Sequence, residues 1–342
     1  MPPVDPHGQD VPPEFRRAAK LLRKVALATL DLTDAARPAR PGSVAEHETA
    51  DESFDGAWGR ATFQLEHEVP PRLMATADHM TALAALTLEP RVILAMASVV
   101  RPCLENLAIV FWLYEPGIDT RERVRRRMNL RLSALVEQQN ISAATGNGKD
   151  AGVARSLLAI RSSAQQHGYT WKVRRGRPLP NAMLHDRFLD EQMPTQRRLL
   201  SELFADSDGT DQGLGKLLQH LTSSVLHGHL HGTAAFILDT EPSSIAEVAT
   251  AGIGLDASRF AQLYGAVLVG AVSTMARCGQ HFGWELGPWM ATAHQTMSTL
   301  TPWIETRPQR SRRPAARPSG GSSFFAPAHP TRPLDRGEYD RS

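Results

Sequence analysis

The stretch "LEPRVILAMASVVRPCLENLAIVFWLYEP", Leu88 to Pro116, decides the fold. Its apolar residues recur at helical spacing, with no alternation of the kind a half-buried strand shows. It reads as a deeply buried helix pair, or one helix kinked at Pro102, that stops at Pro116-Gly117. Such a helix needs other helices to cover it, so the expected fold is all-α. The architecture that follows is an irregular bundle of long helices with a disordered, arginine- and proline-rich C-terminal tail.

The same periodicity extends in both directions. Phe15, Ala19, Leu22, Val25 and Ala26 mark a first helix, and a second runs from about Phe54 to Leu88 with a break at Pro70-Pro71. Residues 37–53 between them are rich in proline, small and acidic residues and read as a mobile linker. Beyond Pro116, "DTRERVRRRMNLRLSALVEQQN" has Asp119 or Thr120 as a helix cap and Glu122 in the first turn. Val124, Met128, Leu132, Leu135 and Val136 form one apolar stripe, with arginines on the other faces. "NGKD" breaks the chain, a shorter helix reaches about His167, and helices resume near Pro194, Asp211, Asp256 and Pro288. The expected organisation is a disordered N-terminus (1–12), N-terminal helices (13–89), a main helical domain (90–304) and a disordered tail (305–342). The tail contains one hydrophobic pair, Phe324-Phe325.

Composition narrows the function classes. The 342 residues are 42% hydrophobic and 22% charged, and the net charge of +2 is too small to argue by itself for nucleic acid or a membrane surface. Lysine occurs only at positions 20, 24, 149, 172 and 216, so arginine carries nearly all the positive charge, as in GC-rich genomes. Cys103 and Cys278 sit in apolar helical surroundings without paired spacing and are expected to be reduced and buried. The opening "MPPVDPHGQDVPPEF" has neither a basic n-region nor an apolar h-region. The most membrane-like run, Phe260 to Ala276, falls short of the ~20 apolar residues a span needs. A cytoplasmic protein with no membrane segment is expected. Small residues four apart, Ala261 with Gly265 and Ala266 with Gly270, allow close helix approach and make these helices the candidate surface of a homodimer.

The second informative stretch is "QHLTSSVLHGHLHGTAAFIL", Gln219 to Leu238, which reads as an apolar helix carrying histidines at 227, 229 and 231. On a helix His227 and His231 share a face, the spacing of two metal ligands. No glutamate base lies between them, no carboxylate pair completes a ligand set, and no metal or other cofactor is expected. A metal-dependent enzyme using His227 and His231 is therefore the most distant of three readings. Helix packing is the second reading: Gly228 and Gly232, each costing ~1 kcal/mol of helix propensity, allow another backbone to come close.

The third reading joins this helix to Arg101 and Glu105, four apart in a run apolar enough to bury both. A buried arginine needs a partner, and Glu105 is the local one. Ser223 or Ser224 and His227 would extend the pair into an Arg, Glu, Ser and His constellation with a histidine able to titrate near neutrality.

An R-x-x-x-E helix followed by S-x-x-x-H or S-x-x-H on another apolar helix resembles a group of bacterial all-helical proteins related to the HEPN (higher-eukaryote and prokaryote nucleotide-binding) superfamily. The matching residues are Arg101 and Glu105, then Ser223 or Ser224 and His227, with the segment "YEPGIDTRERVRRRMNLRL" after the first motif. The resemblance spans roughly residues 90–285 and implies a helical module that binds nucleotide or RNA, in a stress or defence system. Catalytic HEPN nucleases carry arginine and histidine with four to six residues between them at one helix start. Here that spacing occurs at Arg161 and His167, Arg60 and His67, Arg72 and His79, and Arg40 and His47, but not beside Arg101. The alternative to the HEPN-like reading is a non-catalytic interaction or structural protein whose polar groups only organise the core.

One further surface suits nucleic acid. "WKVRRGRP" places Trp171 among Lys172, Arg174, Arg175 and Arg177, an aromatic plane among cations that fits phosphates or single strands. A solvated basic loop explains the same residues.

Overall fold

In a computed structural model, residues Ile93–Leu113 of that stretch form a single helix packed within the chain's larger core. The structure describes residues 11, 13–33, 39–54, 58, 61–89, 93–146, 150–173, 187–205, 213–234, 236–242, 249–253 and 257–305. All of these belong to one compact unit, Met1–Thr306. The expected disordered ends and the basic residues Arg174, Arg175 and Arg177 lie outside the described residues, apart from Val11 and from Glu305, which ends the last helix.

The fold is all-α. Helices run in the order α1 (Pro13–Thr33), α2 (Val44–Ala50), α3 (Ala61–Glu66), α4 (Val69–Leu86), α5 (Ile93–Leu113), α6 (Thr120–Ala144) and α7 (Ala151–Gln166), followed by α8 (Gln196–Ala205), α9 (Gly213–Leu226), α10 (Leu230–Ala234), α11 (Ala257–Phe282) and α12 (Gly287–Glu305). Two small antiparallel ribbons interrupt them, β1 (Trp171–Val173) with β2 (Arg187–Leu189), and β3 (Ile237–Pro242) with β4 (Ala249–Ile253). Neither ribbon was expected. Strands of three to six residues are too short for an alternating pattern to stand out.

Helix α5 continues through Pro102 and is covered by α4, α8, α9 and α11. Val100, Leu104, Leu107 and Phe111 meet Leu73, Leu203, Phe260 and Tyr264 in one buried cluster. Each such side chain contributes about 1.5–3 kcal/mol on burial. Among the described residues α5 holds the one segment long and apolar enough to cross a membrane, Leu94–Leu113, with a mean hydropathy of 1.5. Helices α1 and α4 share this core, so the division expected near residue 89 does not separate two cores. Gly270 of α11 lies where a Cβ would press on Leu203 and Leu104, so its small size serves close packing within the chain.

A second, smaller cluster contains Trp58, Leu65, Val124, Met128, Leu132, Val153, Leu157, Tyr169 and Leu189. The predicted apolar stripe of α6 is therefore buried, but against this satellite rather than the main core. The predicted linker also changes character. Ser43 caps α2, accepting from the Glu46 amide at 3.2 Å, and α2 buries Ala45 and Glu48.

The histidine stretch is corrected by its glycine. The helix predicted through Leu238 ends at Leu226, because Gly228 adopts φ +64°, a conformation L side chains rarely take. The Gly228 amide donates to Val225 O and the His229 amide to Ser224 O, the double closure of a Schellman motif. His227 and His231 therefore do not share one helical face.

Candidate functional site

Helix α5 ends in the protein interior, which leaves its last carbonyls without intrahelical donors. The Tyr114 amide satisfies Val110 O. The next three carbonyls each accept from a different arginine. Arg277 Nη1 donates to Phe111 O at 2.8 Å, Arg126 Nη1 to Trp112 O at 2.5 Å, and Arg123 Nη1 to Leu113 O at 2.6 Å. Cations at a helix C-terminus also oppose its negative dipole end. All three guanidinium groups lie over aromatic rings, the central carbon of Arg277 3.2 Å from the Phe111 centroid, that of Arg126 5.0 Å from Trp112 and that of Arg123 5.6 Å from Tyr114.

Helix α6 supplies two of the three because the Pro116-Gly117 turn folds it back against the end of α5. Gly117 takes φ +80° in that turn, and Asp119 caps α6 by accepting from the Glu122 amide at 2.7 Å. Arg123, Arg125 and Arg126 are all buried, whereas only the apolar stripe was expected to be. Carboxylates make that possible. Glu122 accepts from Arg125 Nε and from Arg126 Nε at 2.6 and 2.7 Å. Burial pushes the Glu122 carboxyl upward, but these hydrogen bonds outweigh it and hold the group below the ordinary range. Arg126 also pairs with Glu115 at 2.7 Å, and Arg125 Nη1 donates to Glu191 O at 2.9 Å.

Arg123 reaches furthest inward. Its Nε donates to Glu48 of α2 at 2.9 Å and its Nη2 to Ile118 O at 3.3 Å. Glu48 also lies 3.7 Å from His281 Nε2. Here desolvation wins: burial raises the Glu48 carboxyl despite Arg123, and burial together with Arg123 pushes His281 down to about 3. His281 is thus a neutral imidazole at physiological pH.

Two clefts flank this arginine layer. The first, of about 440 Å³, is lined by Trp112, Glu122, Arg125, Arg126, Arg198 and Arg277, among others. The second, of about 390 Å³, is lined by Tyr114, Asp119, Arg123, Gln280 and His281. Glu115 and Arg277 line both, so the two are adjacent across these side chains. These volumes fall in the range of small-molecule sites. At the rim of the first cleft, Arg198 pairs with Glu202 at 2.7 Å, with side chains 72% and 40% exposed. Glu191 approaches Arg125 at 3.7 Å and is 82% exposed. Such pairs contribute little and exchange readily for a ligand's charge.

The residues singled out from sequence are placed differently. Arg101 Nε donates to Glu105 at 2.8 Å, both half-buried, and Arg101 Nη1 is buried without a hydrogen-bond partner among the described residues. Ser224 is buried and packs where Gly232 passes so close that a Cβ would meet it at 2.7 Å. His227 is exposed in the turn after α9, its ring 6.0 Å from that of His229. The His231 side chain lies outside the described residues. Among the described residues no three His, Cys, Asp or Glu side chains group as metal ligands. Trp171 is half-buried against the satellite cluster, which makes it a packing residue on its inner side. Cys103 and Cys278 are free and buried, and burial pushes the Cys278 thiol up to about 12.

Sequence reasoning quoted the α6 arginines without selecting them, and passed over Arg198, Arg277 and Glu48. A signal was present. Arginines crowded into the first two turns of a helix oppose its positive dipole end unless carboxylates or another helix's carbonyls face them. No protein-family model, curated protein or solved structure matches this chain.

Proposed function

We propose that this protein is a HEPN-like helical module that binds the phosphates of a nucleotide, or of a nucleotide at an RNA end, in the 440 Å³ cleft. The observation that carries the reading is the convergence of Arg125, Arg126, Arg198 and Arg277 on one cleft of ligand size. Arg125 and Arg126 are fixed by internal bonds. The cleft also carries Glu115, Glu122, Glu191 and Glu202, so an incoming anion has to displace the exposed Glu191 and Glu202 from Arg125 and Arg198. Among the described residues the Arg198 guanidinium is held by an exposed ion pair with Glu202, so it is the group placed to turn onto an incoming anion.

Calorimetric titration with inorganic pyrophosphate tests this. The parent protein should bind with an affinity that falls as salt rises, and Arg198→Glu should weaken binding at least tenfold without altering the melting temperature. Absence of pyrophosphate binding up to about 1 mM, the weak end of ordinary ligand affinities, would refute the phosphate reading.

A second reading has its own observation. The nitrogens of Arg123, Arg125 and Arg126 already donate to carbonyls and carboxylates of the chain. On that basis the layer is a non-catalytic device that closes the end of α5. Arg198→Glu then changes neither binding nor stability.

A further inference from the structure

We infer that the second cleft, behind Tyr114 and His281, is a nucleoside subsite adjacent to the phosphate cleft; this rests on the phosphate reading above. The first support is adjacency: Glu115 and Arg277 line both clefts, so a ligand seated by its phosphates on Arg277 lies beside the second space. The second is the contrast in lining. Arg123 is the other arginine there, and its Nε, Nη1 and Nη2 are each committed to Glu48, Leu113 O and Ile118 O. These bonds occupy three of its five N–H donors and hold it against the wall of the cleft. His281, neutral beside Arg123, does not attract phosphate either.

What the second cleft does present suits a sugar and a base. Asp119 is exposed and uses Oδ1 for the helix cap, which leaves its other oxygen to accept from ribose hydroxyls. An acidic side chain does this in dinucleotide-binding folds, while its charge repels phosphate. Gln280, exposed one turn from Arg277 on α11, carries an amide that can both donate to and accept from a base edge. The positive-φ Gly117 forms the rim, with nothing within 4 Å of the place a Cβ would occupy. Two adjacent clefts of this size, the first with four arginines in its lining and the second with Asp119 and Gln280, fit a ribonucleoside diphosphate better than a simple anion.

Calorimetry with ADP and with pyrophosphate on the full chain separates the two readings. The parent should bind ADP at least tenfold more tightly than pyrophosphate, and 2′-deoxy-ADP less tightly than ADP. Gln280→Ala and Asp119→Ser should bring ADP close to pyrophosphate while pyrophosphate affinity stays unchanged. Serine retains the helix cap, so Asp119→Ser tests the ribose contact rather than folding. Equal affinities of the parent for ADP and pyrophosphate, or variants that weaken both ligands alike, would overturn the subsite. Pyrophosphate binding without ADP preference leaves the phosphate reading standing and removes this one. ADP binding that depends on Gln280 in the absence of pyrophosphate binding does the reverse, and binding of neither overturns both.

Discussion

Replacing Glu48 by methionine removes the one carboxylate that Arg123 contacts among the described residues, and the structure sets the size of the effect. The two side chains are 7% and 3% exposed and 2.9 Å apart, so the guanidinium would be left charged and almost wholly shielded from water. Breaking a buried pair in this way costs about 3–5 kcal/mol. For a domain of this size that is a fall of very roughly 6–20 °C in melting temperature. Burial is the largest influence on the Glu48 carboxyl and raises it against the attraction of Arg123. Removing both charges also removes the desolvation cost, so it should be far milder than removing one. The double variant Glu48→Met, Arg123→Met still loses the bonds to Leu113 O and Ile118 O. At about 1 kcal/mol each, these leave it about 2 kcal/mol below the parent. Urea unfolding of the parent, both single variants and the double variant, followed by tryptophan fluorescence, completes the cycle. A loss under about 1 kcal/mol for Glu48→Met, or a double variant no more stable than Glu48→Met alone, would refute the argument.

The remaining predictions concern acid stability and two glycines. His281 faces Glu48, Arg123 and the Tyr114 ring, and its folded pKa of about 3 lies below the unfolded value near 6.5. Its contribution is thus fully present above pH 6.5 and is lost as pH falls towards 3, amounting to about 2–3 kcal/mol at pH 4.5. His281→Gln should flatten the loss of stability between pH 7 and 4.5 by that amount, and an unchanged slope in urea unfolding at the two pH values would sink the idea. A Cβ on Gly215 would stand 2.3 Å from Leu200 O, so Gly215→Ala must push α9 off α8. A loss of about 1–3 kcal/mol is expected in thermal unfolding. Gly228 has open space but φ +64°, so Gly228→Ala should lose about 1 kcal/mol and Gly228→Asn less. Equal melting temperatures for those two variants would show that the left-handed closure of α9 is dispensable.

Sequence alone determined the helices, because helix formation is written in local spacing. The apolar run of α5, the Val124, Met128, Leu132 and Leu135 stripe, and the Asp119 cap all act within four or five residues of themselves. Each was readable without knowing the neighbours. The end of α9 shows the limit of that reading: residues 219–238 have helical periodicity, yet Gly228 turns left-handed, and periodicity does not encode the choice.

Tertiary structure alone decided which polar groups matter. Arg101 and Glu105, four apart, were visible as a pair because both lie on one helix turn. Arg123 meets Glu48 across 75 positions, and Arg277 reaches Phe111 O across 166. An arginine is a surface residue in sequence statistics, and only the buried end of α5, with its unsatisfied carbonyls, draws three of them inward. The clefts exist because that end had to be closed by side chains from helices that no local pattern connects to it.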